Sequence, residues 1–91
     1  MGRFKCKKTE ALHRGEPVSD FQGVAKVALR RLDLVLHVAR LQDLMVPPGN
    51  RFEKLKGKRD GQYSIRINDQ YRVCFRWKGG HAFDVEITDY H

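Results

Sequence analysis

The sequence predicts an α+β fold, a small antiparallel β-sheet meander with one long and one short helix packed on one side. Three observations carry this expectation. An apolar stripe recurs at three- and four-residue spacing across residues 21–39. A Pro47-Pro48-Gly49 stop follows it, and after the stop the period of the chain changes from helical to two.

Taken in order, Arg3-Phe4-Lys5-Cys6-Lys7 alternates like a short first strand, and Thr9–His13 makes a helical turn ahead of Gly15-Glu16-Pro17. Ser19-Asp20-Phe21-Gln22 has the form of a capping box, which sets the expected start of the long helix. Phe21, Val24, Ala25, Ala28, Leu32, Val35, Leu36 and Ala39 form a stripe wide enough to cover a sheet, while Lys26, Arg30, Asp33, His37 and Arg40 fall mainly outside it. The prolines forbid continuation, because proline lacks an amide donor and restrains the residue before it.

Tyr63–Ile67 and Tyr71–Trp77 then alternate as two half-buried strands joined through Asn68-Asp69-Gln70. Lys78-Gly79-Gly80-His81 leads into a last strand, Ala82–Thr88. Alternation turns Tyr63, Ile65, Ile67, Tyr71, Val73, Phe75 and Trp77 toward the helices. It turns Gln62, Ser64, Arg66, Arg72, Cys74 and Arg76 to the opposite face, where Arg72 is expected to be open to a ligand. Arg66 and Arg76 are expected to pair across strands with Asp84 or Glu86, in preference to contacting a ligand.

Ninety-one residues allow one domain, spanning 1–91, with enough chain to bury a core without disulfides or a metal. Cys6 and Cys74 lie far apart with no CxxC spacing, and His13, His37 and His81 lack neighbours that suggest metal ligation. All five read as packing or surface groups, and no metal site is expected. With no signal peptide and no apolar run near ~20 residues, the chain reads as cytoplasmic and without a membrane role.

The net charge of +7 is unevenly spread. Residues 51–78 carry nine Lys/Arg against three acids, and residues 79–91 carry three acids and no Lys or Arg. Lys54, Lys56, Lys58, Arg59, Arg66, Arg72 and Arg76 form a concentrated positive field if the sheet gathers them, and its best-matched partner is nucleic-acid phosphate. The chain closes on Asp89-Tyr90-His91, three groups able to move or position a proton, and imidazole titrates near pH ~6.5. A frayed end is the alternative reading of these residues.

The run from Pro47-Pro48-Gly49 through Leu55-Lys56-Gly57 and Tyr71-Arg72-Val73 to Trp77, closing with Val85-Glu86-Ile87-Thr88-Asp89-Tyr90-His91, closely resembles the HigB toxins of bacterial toxin-antitoxin modules. These belong to the RelE/ParE superfamily, and the resemblance extends more loosely over the preceding helix. It implies a RelE-like fold and a ribosome-dependent endoribonuclease that cuts messenger RNA in the ribosomal A site and so inhibits translation. It further implies metal-free attack of a ribose 2'-hydroxyl on the adjacent phosphate, with no cofactor. The implied partners are the ribosome with its message and a HigA-like helix-turn-helix antitoxin, with operator DNA engaged only through the antitoxin.

On that resemblance Lys56 and Arg72 serve transition-state charge. His91 exchanges a proton, Asp89 orients it or acts as base, and Tyr90 stacks or hydrogen-bonds. Glu53 stands where some family members carry histidine. It is either the general base or an ion-pair partner of Lys54 or Arg51. Lys58 and Arg59, within the Gly57–Gly61 turn, are assigned to RNA or ribosome contact together with Lys54, Arg66 and Arg76. Two other functions compete: a gyrase-poisoning toxin of the same superfamily, and a plain RNA-binding or regulatory module.

Overall fold

The fold is described for residues 3–89 in a computed structural model. The chain opens with a rung where a strand was expected. Phe4 bridges Val85 in parallel, with Lys5 N donating to Val85 O at 3.0 Å and Val85 N to Arg3 O at 3.0 Å. The strand goes no further because helix α1, Lys7–His13, begins at once, Glu10 N donating to Cys6 O. Thr9 is fully buried, and its Oγ1 accepts from Ile87 N at 2.9 Å, which ties α1 to the last strand.

The capping box does not start the long helix. Ser19–Phe21 forms a single 3-10 turn, and Gly23, with φ 89°, turns the chain through the left-handed region before helix α2, Ala25–His37. The stripe nevertheless works as expected: Ala28, Leu32 and Val35 are fully buried, and Phe21 reaches the core from the turn. Val38 is extended, so Ala39 lies beyond the helix and is exposed. Between α2 and the sheet, Leu44 anchors a 3-10 turn, Leu41–Met45. Buried Asn50 donates to Leu44 O and Val46 O, both at 3.2 Å, and so holds the proline turn closed.

Four antiparallel strands lie in the order β1-β2-β3-β4: Glu53–Lys54, Tyr63–Arg66, Tyr71–Lys78 and His81–Asp89. The two-residue β1 carries no alternation in the sequence and was not expected. Between β2 and β3, Asn68 Oδ1 accepts from Gln70 N and Tyr71 N, an Asx turn that fixes the register. Between β3 and β4 the register shifts, with Cys74 opposite Glu86 but Arg76 opposite Phe83. Asp84 and Val85 therefore oppose Phe75 alone, and Asp84 takes φ 50°. The bulge lets Ala82 and Val85, three apart, both enter the core and moves Phe83 to the face carrying Arg76.

Both helices pack on one face of the sheet, where Ile65, Val73, Phe75, Val85 and Ile87 meet Leu12, Ala28, Leu32 and Val35. The other face of the sheet, the outer face, carries Glu53, Ser64, Arg66, Arg72, Cys74 and Glu86. Among the described residues no helix is long and apolar enough to cross a membrane.

Candidate active site and nucleic-acid interface

Register alone draws the outer face. Glu53 pairs with Ser64, Ser64 with Cys74 and Cys74 with Glu86, a row crossing all four strands; Arg66, Arg72 and Thr88 form the next row. Two guanidinium groups lie over these rows. Arg72 Nη1 donates to Glu53 Oε1 at 2.9 Å, and its Nη2 donates to the Arg51 carbonyl at 2.7 Å. Arg59 reaches back from the β1–β2 loop and donates through Nη1 to Gln62 Oε1 at 3.0 Å and Glu86 Oε1 at 2.9 Å. Its Nη2 lies 3.4 Å from Thr88 Oγ1.

The expectation that Arg72 would be open to a ligand is corrected here: the residue is only 8% exposed. Alternation correctly placed it away from the helices, but alternation says nothing of the 55–62 loop. That loop is closed by Leu55 N to Gln62 O at 2.8 Å and Gln62 N to Arg59 O at 3.0 Å, and Arg59 holds it against β4. Ser64 and Cys74 are buried on the same face, as is Gln62 at the end of the loop. Burial pushes the Cys74 thiol up from its ordinary range, only partly opposed by the nearby Arg59 charge. The hydrogen bond to Glu86 raises the Arg59 pKa, so this guanidinium is a fixed cation.

Glu53 is held by Arg72, not by Lys54 or Arg51 as weighed from sequence, and its side chain remains 53% exposed. Glu86 is taken by Arg59, with Lys5 Nζ 3.9 Å away, so the cross-strand pairing expected for Arg66 and Arg76 does not form with it. Arg66 pairs instead with Asp69 in its own turn. Arg76 lies against the loop, close enough that a Cβ on Gly61 would sit 2.7 Å from its Nη1. Lys56 and Lys58 are exposed, Lys56 immediately before the 3-10 turn Gly57–Arg59. Lys54 pairs with Tyr63, whose ring packs on the helix side, so register sets Lys54 on the opposite side of the edge strand from Glu53.

Asp89 is likewise set apart. It faces Tyr71, a helix-side residue, and its Oδ2 accepts from Gln70 Nε2 at 2.9 Å. The structure therefore brings Glu53 and Arg72 together beside the Lys56–Arg59 loop and places Asp89 on the other side of the sheet. Tyr90 and His91 lie outside the described residues. Sequence reasoning missed Arg51, whose carbonyl holds Arg72, and Glu86 as the dock for Arg59. Both contacts join segments about twenty or more residues apart, and no local pattern announces them.

A four-stranded antiparallel sheet with helices on one face, and an arginine–carboxylate pair flanked by a lysine-rich loop on the other, defines a small basic α+β domain. A family profile described as the RelE-like toxin of type II toxin-antitoxin system HigB matches residues 6–91. Toxin HigB-1 of Vibrio cholerae serotype O1 is 41% identical over 64 residues, which is 70% of this chain and 67% of that protein. An uncharacterised protein of Haemophilus influenzae is 40% identical over 62 residues, 68% of this chain and 61% of the relative. The chain belongs to the HigB-like family of RelE-like toxins.

Proposed function

We propose that this protein is the toxin of a type II module and acts as an endoribonuclease on messenger RNA at the ribosome. The observation that carries the reading is the Arg72–Glu53 pair: a cation and a half-exposed carboxylate 2.9 Å apart, beside the Lys56–Lys58 loop. In this reading an incoming phosphate takes over part of Arg72's hydrogen bonding, and Glu53 turns to the ribose 2'-hydroxyl and accepts its proton. The 2'-oxygen bonds to phosphorus and the 5'-oxygen leaves, taking a proton from His91. The products are a 2',3'-cyclic phosphate and a 5'-hydroxyl. Arg72 and Lys56 answer the charge that builds on the phosphorane.

The separation of Asp89 from Arg72 favours Glu53 over Asp89 as the base. The family implies an antitoxin partner. We infer a HigA-like helix-turn-helix protein, through which operator DNA is engaged.

The test is incubation of purified protein with ribosomes carrying a defined message, and analysis of the cut ends. Cleavage with a cyclic phosphate, and a fall of about 10²-fold or more in single-turnover cleavage by Glu53→Gln, is the expected result. An intact message accompanied by inhibition of gyrase supercoiling would sink the reading.

A further inference from the structure

The middle of the sequence holds the densest basic charge, yet the fold adds a second basic segment to the same face from the other end of the chain. The parallel rung to Val85 fixes residues 3–5 as extended chain along β4. Phe4 packs inward, against the core and 5.2 Å from the His13 ring. Alternation then turns Arg3 and Lys5 to the outer face, and the Lys5 ammonium, 3.9 Å from Glu86 Oε1, shows that it has arrived there. Glu86 already accepts from Arg59 at 2.9 Å on that same oxygen. One carboxylate thus faces two cations, and the more exposed of them, Lys5 at 52%, is left in excess.

Several cations toward the helix side are balanced differently. Lys8 is held by Asp20, Arg14 by Glu10 and Glu16, and Arg40 by Asp43. Arg3 has no such partner among the described residues. Charge that is left over and exposed, on a face already carrying Arg72 and the Lys56–Arg59 loop, is what a polyanionic strand requires.

We propose that Arg3 and Lys5 are a phosphate-binding strip for the backbone of RNA, extending the outer-face site across the β4 edge. The proposal rests on the reading of this face as an RNA site. It names contacts that position a strand without reading its sequence. The strand is either the message or ribosomal RNA, which present the same phosphates.

The experiment compares the full-length protein with Arg3→Ala/Lys5→Ala and, as control, with Lys26→Ala on the solvent side of α2. Binding is measured against potassium chloride concentration, using a 2'-O-methyl oligonucleotide that offers no nucleophile and, separately, vacant ribosomes. Each single-strand phosphate contact contributes about 0.7 to the slope of log K on log salt, so the double variant is expected to lose about 1.4 on the oligonucleotide while Lys26→Ala loses none. Loss on the oligonucleotide alone identifies a message-like strand, loss on ribosomes alone identifies ribosomal RNA, and loss on both identifies a strip that takes either backbone. Unchanged slope and affinity on both ligands, with wild-type binding intact, overturns this inference alone. A wild-type protein without salt-dependent affinity for either RNA overturns the RNA reading of the face with it.

Discussion

Replacing Arg72 separates what the residue does for the fold from what it does for chemistry. Its side chain is buried, with the guanidinium bonded to Glu53 and to the Arg51 carbonyl. Arg72→Ala loses the packing of two methylenes, Cγ and Cδ, roughly 1.6 kcal/mol at ~0.8 each. The ion pair adds little, because Glu53 is half-exposed and returns to water when released. Relief of guanidinium desolvation offsets part of the loss. A net of about 1 kcal/mol corresponds to a fall of roughly 4–8 °C in Tm for a domain of this size.

Arg72→Met keeps most of the stem and removes the charge. It should melt within about 4 °C of wild type, since apolar isosteres of buried ions are tolerated. Single-turnover cleavage should nonetheless fall by about 10²-fold or more in both variants. Calorimetry and quench-flow cleavage on the same preparations decide it. Were Arg72→Ala to melt with wild type, or Arg72→Met to cleave normally, the assignment of a buried cation acting on the phosphorane would be wrong.

Two further outcomes follow from the same face. Because burial raises the Cys74 thiol above its usual value near 9, the unfolded state releases its proton first as pH rises, so Cys74 contributes a loss of stability from about pH 9 upward. Urea midpoints at pH 7.5 and 9.5 should therefore differ less in Cys74→Ala than in wild type, and an equal difference would refute the burial argument. Gly61→Ala should cost about 1–2 kcal/mol from its φ of 89°, because the Arg76 guanidinium that a Cβ would meet is a mobile chain end. The cost should persist in an Arg76→Ala background; its disappearance there would show that the clash, and not the backbone, dominates.

Period and punctuation made most of the architecture legible in advance. The α2 stripe, the Pro47-Pro48 stop and the alternation of Tyr63–Ile67 and Tyr71–Trp77 are local signals, and each stands in the fold with shifts of boundary. Where a local signal misled, another residue overruled it. Gly23 delayed the helix that Ser19 advertised, and the Asp84 bulge reset the β4 alternation that places Ala82 and Val85 together in the core. The family, too, was readable from residues, because the motif around Lys56 and Arg72 is contiguous along the chain.

The site itself divides along the same line. Sequence placed Arg72 and Arg66 on one face, since alternation is a property of a single strand, and the register makes them direct partners. Tertiary structure alone decided that Glu53 holds Arg72, that Arg59 locks its loop to Glu86, that Asp89 lies across the sheet and that Arg3 and Lys5 join the outer face. Each depends on register between strands or on a long side chain crossing the sheet. Such contacts are selected by the packing of the whole domain and leave no periodic mark in the sequence.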